Sequence, residues 1–158
     1  MSARAVAFSR GYFVRFVPVT TRWADNDAYG HINNVVYYSF FDTAVNSILI
    51  GAGTLDPATS AVIGLVVETR CTYFASLAFP EPVEVGVAVA HLGKSSVRYR
   101  LGVFKSGGAT AAAQADYTHV YVDRATRKPV PLPRDVRALL DGLALESREP
   151  ARRSGSDS

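Results

Sequence analysis

The segment Asn34-Val-Val-Tyr37-Tyr-Ser-Phe-Phe41-Asp-Thr-Ala-Val45-Asn-Ser-Ile-Leu-Ile50 decides how the rest of the chain reads. Its polar residues Ser39, Asp42, Thr43, Asn46 and Ser47 return every three or four positions, which is the period of one helix face. Tyr37, Phe40, Phe41, Ala44, Val45 and Ile48 fill the remaining circumference. A stripe that wide predicts a helix enclosed by other structure on most sides. Asn33 or Asn34 stands where an N-cap belongs, and Gly51 where the helix would stop.

Everything around this segment reads as strand. Before it, residues 12–19 alternate as one strand, and a polar, turn-rich stretch covers 20–34. After it come a β-branched run over 64–74 and a clean alternation of Val83, Val85, Val87 and Val89 with small or polar residues. A tight turn at 93–95 leads into Val97, Tyr99, Leu101 and Val103, and Ser106-Gly-Gly108 has hairpin composition. Residues 111–123 then place Tyr117, His119 and Tyr121 on one face. A short last helix is expected over 134–145. The order predicts an α+β fold: an antiparallel sheet of about five strands, the last four joined by short turns, curled around one long central helix.

Composition bounds the rest. With 158 residues, 48% hydrophobic and 20% charged, the chain has core enough for one domain and too little for two. That domain is expected over 1–145, followed by a charged, Ser-rich tail over 146–158 of disordered composition. A single cysteine, Cys71, excludes an intrachain disulfide framework, and His31, His91 and His119 lack metal-ligand spacing, so no metal is expected. Both observations fit a cytoplasmic protein. The first ten residues lack the apolar stretch and cleavage site of a signal peptide, and no stretch is apolar and long enough to suggest a membrane span. The net charge of +3 comes without a basic run interleaved with aromatics, so no nucleic-acid partner is expected. The same surplus suits a polyanionic small molecule.

Reactive groups concentrate just before the helix: Asp25, Asp27, His31, Asn33 and Asn34. Such a loop serves structure through Asx turns and caps. It also serves chemistry, because unpaired N–H groups at a helix start stabilise an oxyanion and a nearby carboxylate attacks or deprotonates water.

The stretch Arg22-Trp-Ala-Asp25-Asn-Asp27-Ala-Tyr-Gly30-His31-Ile-Asn33-Asn34-Val-Val-Tyr37 resembles the signature of hotdog-fold acyl-CoA thioesterases, in the 4-hydroxybenzoyl-CoA thioesterase family. The strands around Val66–Tyr73, Val83–Val85, Gly93–Val97 and Val120–Pro131 are similar to its successive strands, so the resemblance covers about residues 12–140. It implies a hotdog fold, agreeing with the wrapped helix read from periodicity. It implies that Asp27 is the catalytic carboxylate, either attacking the thioester carbonyl or acting as general base. A backbone N–H at Asn34 would polarise the carbonyl. His31 is a second acid–base candidate, while Asp25 is expected to orient the loop. Lys94 and Ser95, on a turn where relatives hold coenzyme A phosphates, and Tyr37 are substrate-binding candidates; Arg127 and Lys128 are weaker ones. His91 and His119 are expected to be structural, and Cys71 to be a buried small hydrophobe. The implied activity is hydrolysis of an acyl-CoA by a homo-oligomer, dimer or tetramer, with coenzyme A as part of the substrate and no separate cofactor. A non-catalytic acyl-CoA binder and a hotdog hydratase or dehydratase are the alternatives; the latter lacks its D-x-N-P-x-H type segment here.

Overall fold

A computed structural model describes residues 5–145, so the tail from 146 and residues 1–4 lie outside the described residues. The sequence periods become β1 (Arg15–Val19), α1 (Val36–Gly51), β2 (Val62–Tyr73), β3 (Val83–Leu92), β4 (Ser96–Lys105), β5 (Ala113–Asp123) and α2 (Arg134–Asp141). The five strands form one antiparallel sheet in the order β1-β3-β4-β5-β2.

Only part of the sheet follows short turns. β3–β4 and β4–β5 are neighbours in sequence and in space, but β2 pairs with β5 and not with β3. Residues 74–82 therefore carry the chain back across the sheet, a span no hairpin turn provides. Helix α1 makes the opposite crossing, from the β1 edge to the β2 edge. Along the way it buries Tyr37, Phe40, Phe41, Ala44, Val45, Ile48 and Leu49 against the curled face.

The ends of α1 differ from the expectation. The N-cap is Val35, with no side-chain cap; Asn33 lies farther out, its Oδ1 accepting the Val35 N–H at 3.2 Å and its carbonyl the Val36 N–H at 2.9 Å. The helix also runs through Gly51, and the left-handed residue that turns the chain is Gly53, at φ 75°. A glycine at the last helical position keeps a right-handed conformation; the turn falls where φ must become positive. Enclosure is one-sided too, since Val35, Tyr38 and Ile50 on the opposite face stay exposed. The C-terminal helix is shorter than read, ending at Asp141, after which Leu143 accepts the Val89 N–H at 2.8 Å and Ala144 bridges to Val89.

The convex face has a cover that the alternation did not reveal. Residues 8–16 lay Phe8, Tyr12, Phe13 and Phe16 across it, with Phe13 edge-on to Phe104 at 5.6 Å between centroids. Phe13 fits because its ring lies over Gly86 and Gly102, which face each other across β3 and β4. A Cβ on Gly102 would come within 2.6 Å of Phe13 Cζ, and one on Gly86 within 2.7 Å of Cγ. Gly102→Ala should therefore destabilise the protein by about 1–3 kcal/mol in urea unfolding. The double variant Phe13→Leu/Gly102→Ala should cost less than the sum of its parts, because the two side chains share one space.

Candidate active site

The loop 20–34 is held from both sides. Asp25 is 1% exposed, and its Oδ2 accepts the Arg22 N–H at 2.8 Å. Its Oδ1 takes both Arg22 Nε at 3.1 Å and Nη2 at 2.9 Å. Asp25 thus ties the loop to its own start. The crossing segment 74–82 supplies the second anchor. Leu77 accepts the Ile32 N–H at 2.7 Å, and Asn26 Oδ1 accepts the Phe79 N–H at 2.9 Å.

Between these anchors lies a turn built on Asp27. Its N–H donates to the His31 carbonyl at 2.7 Å, and its carbonyl accepts from Gly30 N–H at 3.1 Å. Its Oδ1 accepts the Tyr29 N–H at 2.8 Å and, at 3.4 Å, that of His31. Gly30 closes the turn at φ 80°, a conformation that strains any residue with a Cβ. The carboxylate is half-buried and faces a cavity of about 400 Å³ lined also by His31, Asn34, Tyr37, Tyr73 and Ser76.

Asn34 sits just ahead of the N-cap. Its carbonyl accepts the Tyr73 hydroxyl at 2.8 Å, while its N–H has no acceptor among the described residues. The Tyr37 phenol is pushed up by burial, by neighbouring Cys71 as a lesser cause, and is drawn down by a hydrogen bond with the Leu77 backbone. Burial raises Tyr73 as well, with Cys71 and the neighbouring tyrosines adding to it, so both phenols stay protonated. Burial also raises the Cys71 thiol, against a smaller opposing effect of the neighbouring Tyr73 hydroxyl, which is the wrong direction for a nucleophile. His31 is exposed, and its ring makes no hydrogen bond among the described residues. No group of three or more His, Cys, Asp or Glu residues positioned for a metal occurs among the described residues.

Asp27, His31, Asn34 and Tyr37 therefore meet at one cavity; Lys94 and Ser95 do not join them within the chain. Their turn follows Leu92, at the far end of the sheet from Val83 and Tyr73, roughly 30 Å along the strands. Its backbone is tied to α2, with Arg137 Nη2 donating to the Gly93 carbonyl at 2.6 Å and the Leu132 N–H to Lys94 at 3.0 Å. Arg127 and Lys128, exposed beyond β5, lie at that same far end. His91 is exposed on β3 and His119 is buried on β5. Tyr73 and residues 74–76 were missed as cavity wall, because a tyrosine ending a strand carries no local sign of what faces it.

Comparison with known proteins agrees with this geometry. Residues 21–140 match the thioesterase-like superfamily, and the chain belongs to it. The PA5185 protein of Pseudomonas aeruginosa is 48% identical over 88% of this chain and 97% of its own, with a TM-score of 0.86. A 1,4-dihydroxy-2-naphthoyl-CoA thioesterase of Synechocystis, Slr0204, shares the fold at 16% identity, covering 80% of this chain and 94% of its own, with a TM-score of 0.72. The TT1821 protein of Thermus thermophilus is 25% identical over 81% of this chain and 98% of its own, with a TM-score of 0.71. No protein of curated function matches the chain. The sheet wrapped on α1 is the hotdog fold, and the class of activity is thioester hydrolysis.

Gly30→Ala tests the turn. The added methyl meets no atom within 4 Å, so its cost is backbone strain alone, about 1 kcal/mol in urea unfolding. Turnover should fall at least about tenfold, because the Asp27 carboxylate shifts with the turn. Gly30→Asn, which tolerates positive φ, should retain more activity.

Proposed function

We propose that the chain hydrolyses acyl-CoA thioesters to a carboxylic acid and free coenzyme A, with Asp27 as the catalytic carboxylate. The observation that carries this reading is the pairing of Asp27 with the unpartnered Asn34 N–H on one cavity. A thioester carbonyl directed at Asn34 would gain a hydrogen bond as negative charge grows on its oxygen. Asp27 either attacks the carbonyl carbon, giving an anhydride that water cleaves, or takes a proton from the attacking water. In both routes the acyl–sulfur bond breaks, the thiolate leaves and takes up a proton, and no cofactor is needed. The peptide that carries this N–H is held through its own carbonyl, that of Asn33, which accepts the Val36 N–H, and the Tyr73 hydroxyl holds the next peptide through the Asn34 carbonyl. His31 is placed to exchange protons at the cavity rim. The acyl-CoA substrate is supported by the resemblance of the loop and by the substrate named for the Synechocystis relative.

Asp27→Asn should fold normally and lose at least about two decades of kcat, as loss of a general base does. Hydrolysis is followed by thiol release from a panel of acyl-CoAs, and folding by urea denaturation. Turnover near wild type in the folded variant would remove Asp27 from the mechanism. Asn34→Ala should retain most activity, since the donor is backbone.

The active form is proposed to be a cytoplasmic homo-oligomer built on a dimer. β2 is a sheet edge carrying Leu65, Val66 and Val67 in water, and the exposed face of α1 adds Val35 and Tyr38. An open apolar edge of this kind invites pairing. If two copies join through β2 about a two-fold axis, the strands run antiparallel. The Ile63 end of one then lies beside the Tyr73 end of the other, and the partner's Lys94 and Ser95 move toward the side where Asp27 stands. The coenzyme's phosphates would reach the partner's Lys94 there. Light scattering at assay concentration should give at least twice the 17.0 kDa chain mass. A monomer with full activity would defeat the dimer.

A further inference from the structure

Of the successive backbone N–H groups that lead into α1, from Asn33 to Val36, all but one are taken up inside the chain. The Asn33 N–H donates to the Asp25 carbonyl at 2.9 Å. The Val35 N–H donates to Asn33 Oδ1 at 3.2 Å, and the Val36 N–H to the Asn33 carbonyl at 2.9 Å. The Asn34 N–H alone has no acceptor among the described residues, and Asn34 lines the Asp27 cavity.

A single residue makes that selection. The peptide between Asn33 and Asn34 is held by its own carbonyl, and the backbone on either side of it by the Asn33 N–H and Oδ1. Without the Oδ1 contact, the Val35 N–H would stand free beside that of Asn34. A carbonyl oxygen would then meet two donors at different angles, and the peptide would lose a bond that resists its rotation.

Asparagine differs here from aspartate in charge and not in reach. Both present an oxygen to a backbone N–H at a helix start, and the helix dipole favours the charged one. The loop arranges its charges differently. Asp25 is buried and paired with Arg22, and Asp27 is the only carboxylate among the described residues lining the cavity. An aspartate at 33 would set an unpaired negative charge one residue from the donor that meets the oxyanion. It would oppose both the charge growing there and the ionised Asp27. A neutral acceptor fixes the peptide without that repulsion.

We propose that Asn33 is a positioning residue for the oxyanion donor: its uncharged side-chain oxygen takes up the Val35 N–H and leaves the Asn34 N–H as the one donor turned to a thioester carbonyl. This role rests on the hydrolytic reading of the Asp27 cavity and extends that reading to the residue that orients the donor.

Asn33→Ala, Asn33→Ser and Asn33→Asp test it, through urea denaturation, acyl-CoA turnover and the backbone amide resonances of residues 34–36. Asn33→Ala should lower kcat about tenfold with KM little changed, because the donor acts on charge present only in the transition state. Asn33→Ser, whose hydroxyl can accept from the same N–H, should recover most of that loss. Asn33→Asp should fold at least as stably as Asn33→Ser and keep the Val35 amide slow to exchange, yet lose at least about tenfold in kcat. A side chain that only capped the helix would serve equally well as Asp, so wild-type turnover in folded Asn33→Asp would overturn the proposal. So would an Asn33→Ser protein as impaired as Asn33→Ala. Acetonyl-CoA, a thioether ketone with no thioester to cleave, separates these outcomes from failure of the hydrolytic reading. Added to the wild-type chain, it should move the Asn34 amide proton more than those of Val35 and Val36. In Asn33→Ala the shift should spread to Val35. An unmoved Asn34 amide in the wild type, or a shift still confined to Asn34 in Asn33→Ala, would also overturn the proposal. The expected shifts in a protein that cleaves no thioester would uphold the role of Asn33 and defeat the hydrolysis.

Discussion

Half the girth of α1 must be kept from water, and the sheet's shape answers that demand. Seven apolar side chains from Tyr37 to Leu49 face the strands, and a flat sheet would touch only a few of them. Twist brings the outer strands round the helix axis. The cost of curling is met on the other surface, where residues 8–16 cover the convex face with aromatic rings and paired glycines let Phe13 lie flat on the backbone. Both faces are thereby dry along the middle of β3, where Val85, Gly86, Val87 and Ala88 are all buried.

With the helix fixed, the loop ahead of it has little freedom. Arg22 and Asp25 lock its first half, the crossing segment grips Asn26 and Ile32, and Gly30 sets the angle at which Asp27 meets the cavity. The two aspartates of the pair receive opposite treatment. Asp25 is buried and paired with a guanidinium, whereas Asp27 accepts backbone N–H groups on one oxygen and faces open space. Two identical side chains two residues apart are thus made into a fastener and, in the proposed reaction, the reacting group, by their surroundings alone.

Much of this was legible beforehand, for definable reasons. Helix and strand periods are local, so α1, β3, β4 and β5 could be read residue by residue. The resemblance of the loop pointed to Asp27 and Asn34, which the fold brings to one cavity. Non-local contacts were not legible: that β2 pairs with β5, that Tyr73 reaches Asn34, and that Lys94 stands at the opposite end of the sheet from Asp27. The cap of α1 misled because two asparagines stand near the helix start, yet the Asn33 side chain serves Val35, just ahead of the helix, rather than its first turn. Gly51 misled because a glycine is permissive, and permission to turn is not a turn.

The sheet order also sets a sequence of events along the growing chain. β2 has a single partner, β5, and between them in the sequence lie β3, β4 and their connections. During synthesis β2 therefore waits, with both of its backbone edges unpaired, until residues up to Asp123 have been made. Over the same interval Tyr73 has no fixed strand to hold it against Asn34. The strand whose end walls the Asp27 cavity is held in place by the last strand of the sheet to arrive, so a truncated or stalled chain keeps its whole signature loop and still lacks a fixed wall for that loop to work against.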